Sequence, residues 1–457
     1  MIDSGALNGQ VYPFYTGRVD AEKNIFTTIV GRNGSGKSRL LRNVVSEAIE
    51  CYVNKNVSLS KGLEFVSPKS YPFNVIAVST SPFDRFPMTE FGGIASKSDL
   101  APGYYFYQGL RGLYSTNLSM SFMARVLGDL VQALSQGDNR LATVLDVLDY
   151  LGYHRRMEVR FISNVSISTL VKLINSENPL RVLDSLANGS KEPKIGFDFR
   201  KVTQRLHGAP EGLRKKFLGA LSSFLENHAV NKLELVISRE GVFDTHTNTS
   251  LKTDFSVLLE CGLFRPRDIR LQKKDIDKPF RISDASSGEQ CVVMAMLGIA
   301  SRIADGSLIC IDEPEICLHP EWQERYIEVL MSTFSGFKGC HFIIATHSPQ
   351  IISHLEDENC YIVDLQTKKV LEARDVANRS ADFQLAEIFR APGFKNEYLM
   401  RELVSALSSL SLGKKLSKDK LTLLDSFVAL KSLLKNDDPV LQLIVLFEAA
   451  RSGAVHD

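Results

Sequence analysis

An α/β fold on a mainly parallel sheet is predicted by three observations. Each is a short apolar run that ends in residues suited to holding a ligand. Ile25 to Val30 leads into Gly31-Arg32-Asn33-Gly34-Ser35-Gly36-Lys37-Ser38, Ile309 to Ile311 into Asp312-Glu313, and His341 to Ala345 into Thr346-His347-Ser348. Short runs that are apolar throughout suit parallel strands covered on both faces. Open sheets of this kind take their ligands beyond the carboxyl ends of the strands.

The first run ends in a G-x-x-x-x-G-K-S phosphate loop. Gly31, Gly34 and Gly36 let the backbone turn so that successive N–H groups face phosphates. Lys37 adds a point charge, and Ser38 offers a hydroxyl to Mg²⁺. Asn33, Ser35 and Arg39 complete the loop and the start of its helix as candidate contacts. The expected ligand is ATP or a close relative, with Mg²⁺. At the second strand end, Asp312 suits the metal and its hydration shell, while Glu313 suits polarisation of an attacking water. Phosphoryl transfer needs mainly positioning and charge stabilisation, so these few groups suffice. His347 stands at the carboxyl end of the third run, where a contact to the terminal phosphate is expected.

A second phosphate-binding feature follows from Ser286-Ser287-Gly288-Glu289-Gln290, directly before the apolar run Cys291 to Ala300. A serine and a glycine at a helix mouth, with exposed N–H groups and the positive dipole end, form an anion site. One domain already holds its phosphates with the first loop, so this mouth has no ligand within its own subunit. The segment resembles the signature motif of the ABC ATPase superfamily. That resemblance implies an ABC-type ATPase head, a nucleotide sandwiched between two subunits, and contacts from Ser287, Gly288 and Glu289 across the dimer. It also implies a Q-loop glutamine near nucleotide and metal, for which Gln108, after Tyr104 to Tyr107, is the candidate.

The run Asp312-Glu313-Pro314-Glu315 with Leu318-His319-Pro320 is similar to the soluble AAA-type ABC group that includes the overcoming-lysogenization-defect nucleases. Three more segments narrow the resemblance: Val78 to Pro87, Tyr104 to Gly112, and Asp284 to Gln290. Together they resemble the PtuA-type ATPases of Septu and retron-linked antiphage defence. The likeness covers about residues 10–120 and 255–395. It implies a nucleotide-gated homo-oligomer built from ABC-type dimers, with the separate HNH nuclease PtuB as partner; contact with DNA is an alternative that rests on the basic clusters below and not on the resemblance. Two other classes fit less well. A RecF-like or SMC-like repair clamp would act on DNA without a dedicated nuclease. A transporter's nucleotide-binding subunit is disfavoured by Leu318-His319-Pro320.

Composition agrees with an enzyme-like globule. With 457 residues, 44% hydrophobic and 23% charged, the chain can bury a large core. A net charge of +1 supplies no global field that would recruit nucleic acid. The seven cysteines are odd in number and include no C-x-x-C pair, so neither a disulfide framework nor a metal site is indicated. The start is no signal peptide, and the longest uncharged apolar stretch is half a membrane span. A cytoplasmic protein without a membrane partner is expected.

The distance between phosphate loop and signature implies an insertion. The expected plan is a first ATPase half over 1–115, a mainly helical insertion over 116–235, a second ATPase half over 236–380 and a C-terminal helical segment over 381–457. In the insertion, Phe122, Val126, Leu127, Leu130, Val131 and Leu134 recur at helical spacing, as do Leu213, Phe217, Leu218, Leu221, Phe224 and Leu225. Strands at Arg156 to Ile162 and Leu233 to Ile237 flank its distal part, and Asn188 to Lys191 reads as a loop. Neither helical run keeps heptads long enough for a coiled-coil arm. In the tail, Leu399 to Leu410 and Leu421 to Leu434 mark helices, and Asp438-Pro439 starts a last one. No Toprim-like acidic cluster or H-N-H grouping is found, so any cutting of DNA falls to a partner. Arg155-Arg156, Arg200-Lys201 with Arg205, Arg214 to Lys216, and Arg265 to Lys274 are locally basic; they suit a solvated face or, alternatively, phosphate contacts.

Overall fold

Alternating short strands and helices follow the apolar runs. The chain opens with a hairpin of β1 (Ser4–Leu7) and β2 (Gln10–Pro13), then gives β3 (Ile25–Val30), α1 (Lys37–Ser60), β4 (Val75–Ser79) and β5 (Tyr105–Gly109). The middle holds α2 (Arg140–Tyr150), β6 (Met157–Ser163), α3 (Ile167–Ile174), α4 (Pro179–Gly189), α5 (Glu211–Asn227), β7 (Lys232–Ser238), β8 (Gly241–Asp244), β9 (Phe264–Leu271) and β10 (Phe280–Arg281). Then come α6 (Ser287–Ala300), β11 (Leu308–Asp312), α7 (Pro320–Thr333), β12 (His341–Ala345), α8 (Pro349–Ser353), β13 (Cys360–Asp364) and β14 (Lys369–Glu372). Helices α9 (Glu397–Ser411), α10 (Lys418–Val428) and α11 (Pro439–Gly453) close the chain. The computed structural model describes residues 1–60 except 18 and 21, 72–87, 103–111 except 110, 126, 130, 140–189 except 164, 206, 211–227, 232–248, 257–258, 263–355, and 359–453 except 378.

The main sheet has the order β14-β13-β3-β12-β11-β4-β5, parallel except for β14, which pairs antiparallel with β13. This is an α/β fold with a parallel P-loop sheet. Strand parity divides its side chains between two cores. Ile29, Val75, Ala77, Cys310, Ile343 and Ala345 meet Leu40, Leu41, Val44 and Val45 of α1. Phe26, Ile76, Val78, Ile309, Ile311 and Ile344 face the opposite way, into the core that contains α6. Helix α6 is buried from Val292 to Ala300, as an all-apolar helix must be. Burial on both faces is why these strands read as unbroken apolar runs.

A second sheet, antiparallel, has the order β10-β9-β6-β7-β8. One face of β6 joins the α6 core through Met157, Val159 and Phe161, which meet Phe217, Leu221 and Phe224 of α5. The other face carries ion pairs, Arg160 with Glu234 at 2.7 Å and Arg281 with Asp268 at 3.3 Å. Strands from both sides of residue 235 thus build one sheet. Of the first helical run, Val126 and Leu130 are helical and buried; Phe122, Leu127, Val131 and Leu134 lie outside the described residues, as do Arg200, Lys201 and Arg205. The loop expected at Asn188 is corrected: Asn188 and Gly189 end helix α4.

The tail has its own core of Leu399, Leu403, Leu424, Phe427, Val440, Ile444 and Phe447. Its second helix stops at Val428, and Leu434 reaches that core only after the 3-10 turn Lys431–Leu433, which corrects the single helix expected to Leu434. Several basic residues are ion-paired: Arg155 with Asp146 and Asp149, Arg156 with Glu158, Lys215 with Glu211, and Lys274 with Asp149. Among the described residues, no helix is long and apolar enough to cross a membrane.

Candidate functional site

Beyond β3 the backbone makes a turn that only glycine adopts easily. Gly31, Gly34 and Gly36 have φ of 154°, 80° and 103°. A Cβ on Gly31 would meet Ser35 Oγ at 2.8 Å, and one on Gly36 would meet the Leu7 side chain at 2.8 Å. The hairpin β1–β2 therefore braces the loop from outside. Asn33, Gly34 and Arg39 are exposed at its rim. Ser35 Oγ is buried without a hydrogen-bond partner among the described residues. Such an orphan hydroxyl, with the N-terminus of α1 behind it, fits an anionic group.

Sheet order brings the other groups to the same height. Register pairs Ile29 with Ala345 and Ala345 with Asp312, so the ends of β3, β12 and β11 lie in one row. Lys37, almost fully buried, donates through Nζ to the Gly31 carbonyl at 3.0 Å and lies 2.6 Å from His347 Nε2. The Ser38 hydroxyl donates to Asp312 Oδ1 at 3.1 Å. Glu313 follows in a left-handed conformation, φ 49°, which only a few per cent of non-glycine residues adopt. Its N–H donates to Ala345 O at 2.9 Å, its carbonyl accepts from Thr80 Oγ1 at 3.1 Å, and its carboxylate stands 3.8 Å from His347 Nε2.

Burial dominates the electrostatics. It pushes Asp312 up to about 7, helped by Glu313 and Asp84 and opposed by the Ser38 hydrogen bond. Burial pulls Lys37 down to about 8 against the raising effect of Glu313, Glu315 and Asp312. It pulls His347 down to about 4, with Lys37 adding to the effect. Three carboxylates against one lysine is a donor set that a divalent cation would neutralise. Ser38 and Asp312 are the residues that would hold Mg²⁺, and the loop with Lys37 would hold phosphates.

The signature segment opens helix α6. Ser286 caps α6, its hydroxyl accepting from Glu289 N at 3.2 Å, and Ser287 is exposed at the first position. Gly288 is buried where a Cβ would meet the Cys317 carbonyl oxygen at 2.9 Å. Among the described residues, none of the three that follow Ser286 is hydrogen-bonded to the phosphate loop. Glu289 departs from the expected role: its carboxylate accepts from Tyr153 Oη and pairs with Lys273 Nζ at 2.8 Å. Gln108 also departs, and its place by Ser38 and Asp312 is corrected. It shares a row with Val78 and Ile311, so its side chain lies on the α6 face, fully buried and packed where a Cβ on Gly298 would meet it at 3.3 Å. Asp312, one residue further along, points to the α1 face.

Two groups were not foreseen as functional. Glu315 Oε2 accepts from the Thr346 hydroxyl at 2.9 Å, and Oε1 accepts from His347 N at 2.5 Å. The Asp-Glu-Pro-Glu spacing was the available signal. Asp84 takes Tyr107 Oη at 2.5 Å and Phe86 N at 3.1 Å, with the Arg111 guanidinium 3.7 Å away. It folds the segment after β4 that also carries Thr80.

A family model described as "AAA domain, putative AbiEii toxin, Type IV TA system" matches residues 26–353. The chain is similar to the Retron Ec83 probable ATPase of Escherichia coli, 27% identical over 152 residues, 30% of this chain and 27% of that protein. It is similar to Protein ea59 of Escherichia phage lambda, 23% identical over 363 residues, 76% of this chain and 49% of that protein. The Retron Vc95 probable ATPase of Vibrio cholerae serotype O1 biovar El Tor is 29% identical over 126 residues, 25% and 24% of the two chains. The chain therefore spans about half or less of the length of these relatives. Among solved structures it is similar to the Smc head domain with an extended coiled coil bound to the C-terminal domain of ScpA from Pyrococcus furiosus. That chain is 13% identical with a TM-score of 0.28, over 80% of this chain and 92% of the other.

Proposed function

The chain belongs to the family described as AAA domain, putative AbiEii toxin, Type IV TA system, and from that premise we propose an ATP-driven switch of antiphage defence. The switch is of the PtuA type. It takes ATP with Mg²⁺ at the Gly31–Ser38 loop, closes on a second copy through Ser287 and Gly288, and thereby controls an HNH nuclease of the PtuB type. The relatives named as probable ATPases of two retrons support a defence setting.

One observation carries the reading. The Ser38 hydroxyl meets Asp312 at 3.1 Å, with Lys37 and Glu313 as their immediate neighbours, though the two pairs come from distant parts of the chain. ATP with Mg²⁺ supplies the transferable phosphoryl group and its charge compensation. The chain's own residues divide the remaining work. Loop amides and Lys37 bind, Ser38 and Asp312 orient, Glu313 accepts a proton from water, and His347 lies between Lys37 and Glu313.

Co-expression with a small HNH protein of the PtuB type tests this reading. The expected result is a stable complex whose cleavage of DNA changes with Mg²⁺–ATP concentration. No complex, together with cleavage indifferent to ATP, would overturn it.

A further inference from the structure

We propose that Glu315 is a positioning residue of this ATPase site, holding His347 in place through the backbone of its turn. The proposal rests on the ATPase reading above. Glu315 lies in the 3-10 turn Pro314–Cys317 that starts from the left-handed Glu313. That turn sends the two carboxylates to different tasks. Glu313 stands 3.8 Å from the imidazole Nε2, whereas Glu315 binds the main-chain N–H of the same residue.

Both Glu315 oxygens accept from the turn that carries His347. Oε1 takes the His347 N–H at 2.5 Å, and Oε2 takes the hydroxyl of the fully buried Thr346 at 2.9 Å. Thr346 Oγ1 in turn accepts the Ser348 N–H at 2.9 Å, so one carboxylate fixes three consecutive residues. Hydrogen bonds to an ionised carboxylate are about twice as strong as neutral ones. A second clasp ties the same two loops further out. The Ser348 hydroxyl donates to Gln323 Oε1 at 2.6 Å, and Gln323 Nε2 donates to the Leu318 carbonyl at 2.9 Å. Among the described residues, Glu315 has no hydrogen bond to Lys37 or Ser38; its charge acts on Lys37 and Asp312 through space, while its hydrogen bonds act on the site through His347.

The test compares Glu315→Ala, Glu315→Gln, His347→Ala and the double variant Glu315→Ala/His347→Ala. A glutamine keeps an acceptor for His347 N and can donate to Thr346 Oγ1, so it should rescue. For Glu315→Ala, kcat should fall about 10- to 100-fold, the scale of a misplacement near 1 Å. ATP affinity by calorimetry should stay within about twofold. The double variant should be no slower than His347→Ala alone. A double variant slower by the full Glu315→Ala factor would overturn the proposal.

Hydrogen exchange at the His347 amide gives a readout that needs no turnover. Exchange should accelerate about tenfold or more in Glu315→Ala and stay slow in Glu315→Gln. Unchanged exchange in Glu315→Ala would overturn the proposal. Should the wild type hydrolyse no ATP, the ATPase reading falls, and accelerated exchange still upholds the clasp. Should Glu315→Ala not fold, Thr346→Val takes its place: it removes the Oε2 bond together with the acceptor of the Ser348 N–H, exchange at the His347 amide should again accelerate, and unchanged exchange would overturn the proposal.

Discussion

Lys37 Nζ donates to the Gly31 carbonyl and lies 2.6 Å from His347 Nε2, so the cation of the phosphate loop and the histidine beyond β12 share one contact. With burial holding Lys37 at about 8 and His347 at about 4, a charged ammonium meets a neutral imidazole at pH 7. The imidazole nitrogen accepts. A phosphate oxygen is a stronger acceptor for an ammonium than a neutral ring nitrogen.

Lys37→Met should therefore separate binding from stability. Loss of the charge-assisted contacts, about 3 kcal/mol, should weaken ATP binding about 100-fold in calorimetry. The same change removes a charge that burial disfavours more than Glu313, Glu315 and Asp312 favour it. The melting temperature of the nucleotide-free protein should rise by about 1–3 °C. Unchanged affinity would contradict the assignment of the loop.

His341, the first residue of its five-residue strand, has a structural role and a pH signature. It is 1% exposed, accepts Ile2 N–H at Nδ1 at 3.3 Å, and bonds Thr27 Oγ1 through Nε2 at 2.9 Å. Thr27 donates onward to the Phe14 carbonyl, which makes Nε2 the protonated nitrogen. Burial, then the nearby N-terminus, lowers its value from 6.5 to about 3. Below pH 6.5 the unfolded chain thus binds the proton that the folded chain refuses. Stability should fall with decreasing pH by up to about 1.4 kcal/mol per unit until about pH 3. Urea unfolding of wild type and His341→Gln at pH 7 and pH 5 checks this, and equal pH dependence in both would contradict it.

The sequence shows most about what depends on one segment alone. The phosphate loop, the capped start of α6 and the strand His341–Ala345 are legible because a strand buried on both faces reads as an unbroken apolar run. Relations between segments are not legible. Gln108 looks like a site residue until β4 places its row on the α6 face. Glu289 looks like a phosphate contact until Tyr153 and Lys273 arrive from the other sheet. Glu315 looks like part of a spacing motif until β12 lies beside β11 and brings Thr346 and His347 to it.

Gly288 carries a packing requirement independent of any nucleotide. A methyl group there would sit 2.9 Å from the Cys317 carbonyl oxygen, on backbone that has little room to yield. Gly288→Ala should cost about 1–3 kcal/mol. Thermal unfolding without nucleotide reads this directly. A melting temperature equal to wild type would mean that the turn Pro314–Cys317 is free to move away from α6.

Closure of two copies over shared nucleotide is the central claim, and light scattering tests it most directly. Glu313→Gln keeps the shape of the side chain and removes the base, so Mg²⁺–ATP should hold two copies together and double the measured mass. Ser287 is exposed at the mouth of α6, outside the hydrogen-bonded phosphate loop of its own chain. Adding Ser287→Arg to Glu313→Gln should therefore leave ATP binding intact and keep the mass at that of the nucleotide-free protein. A mass that does not change with ATP in Glu313→Gln, or doubles equally in the double variant, would contradict the account.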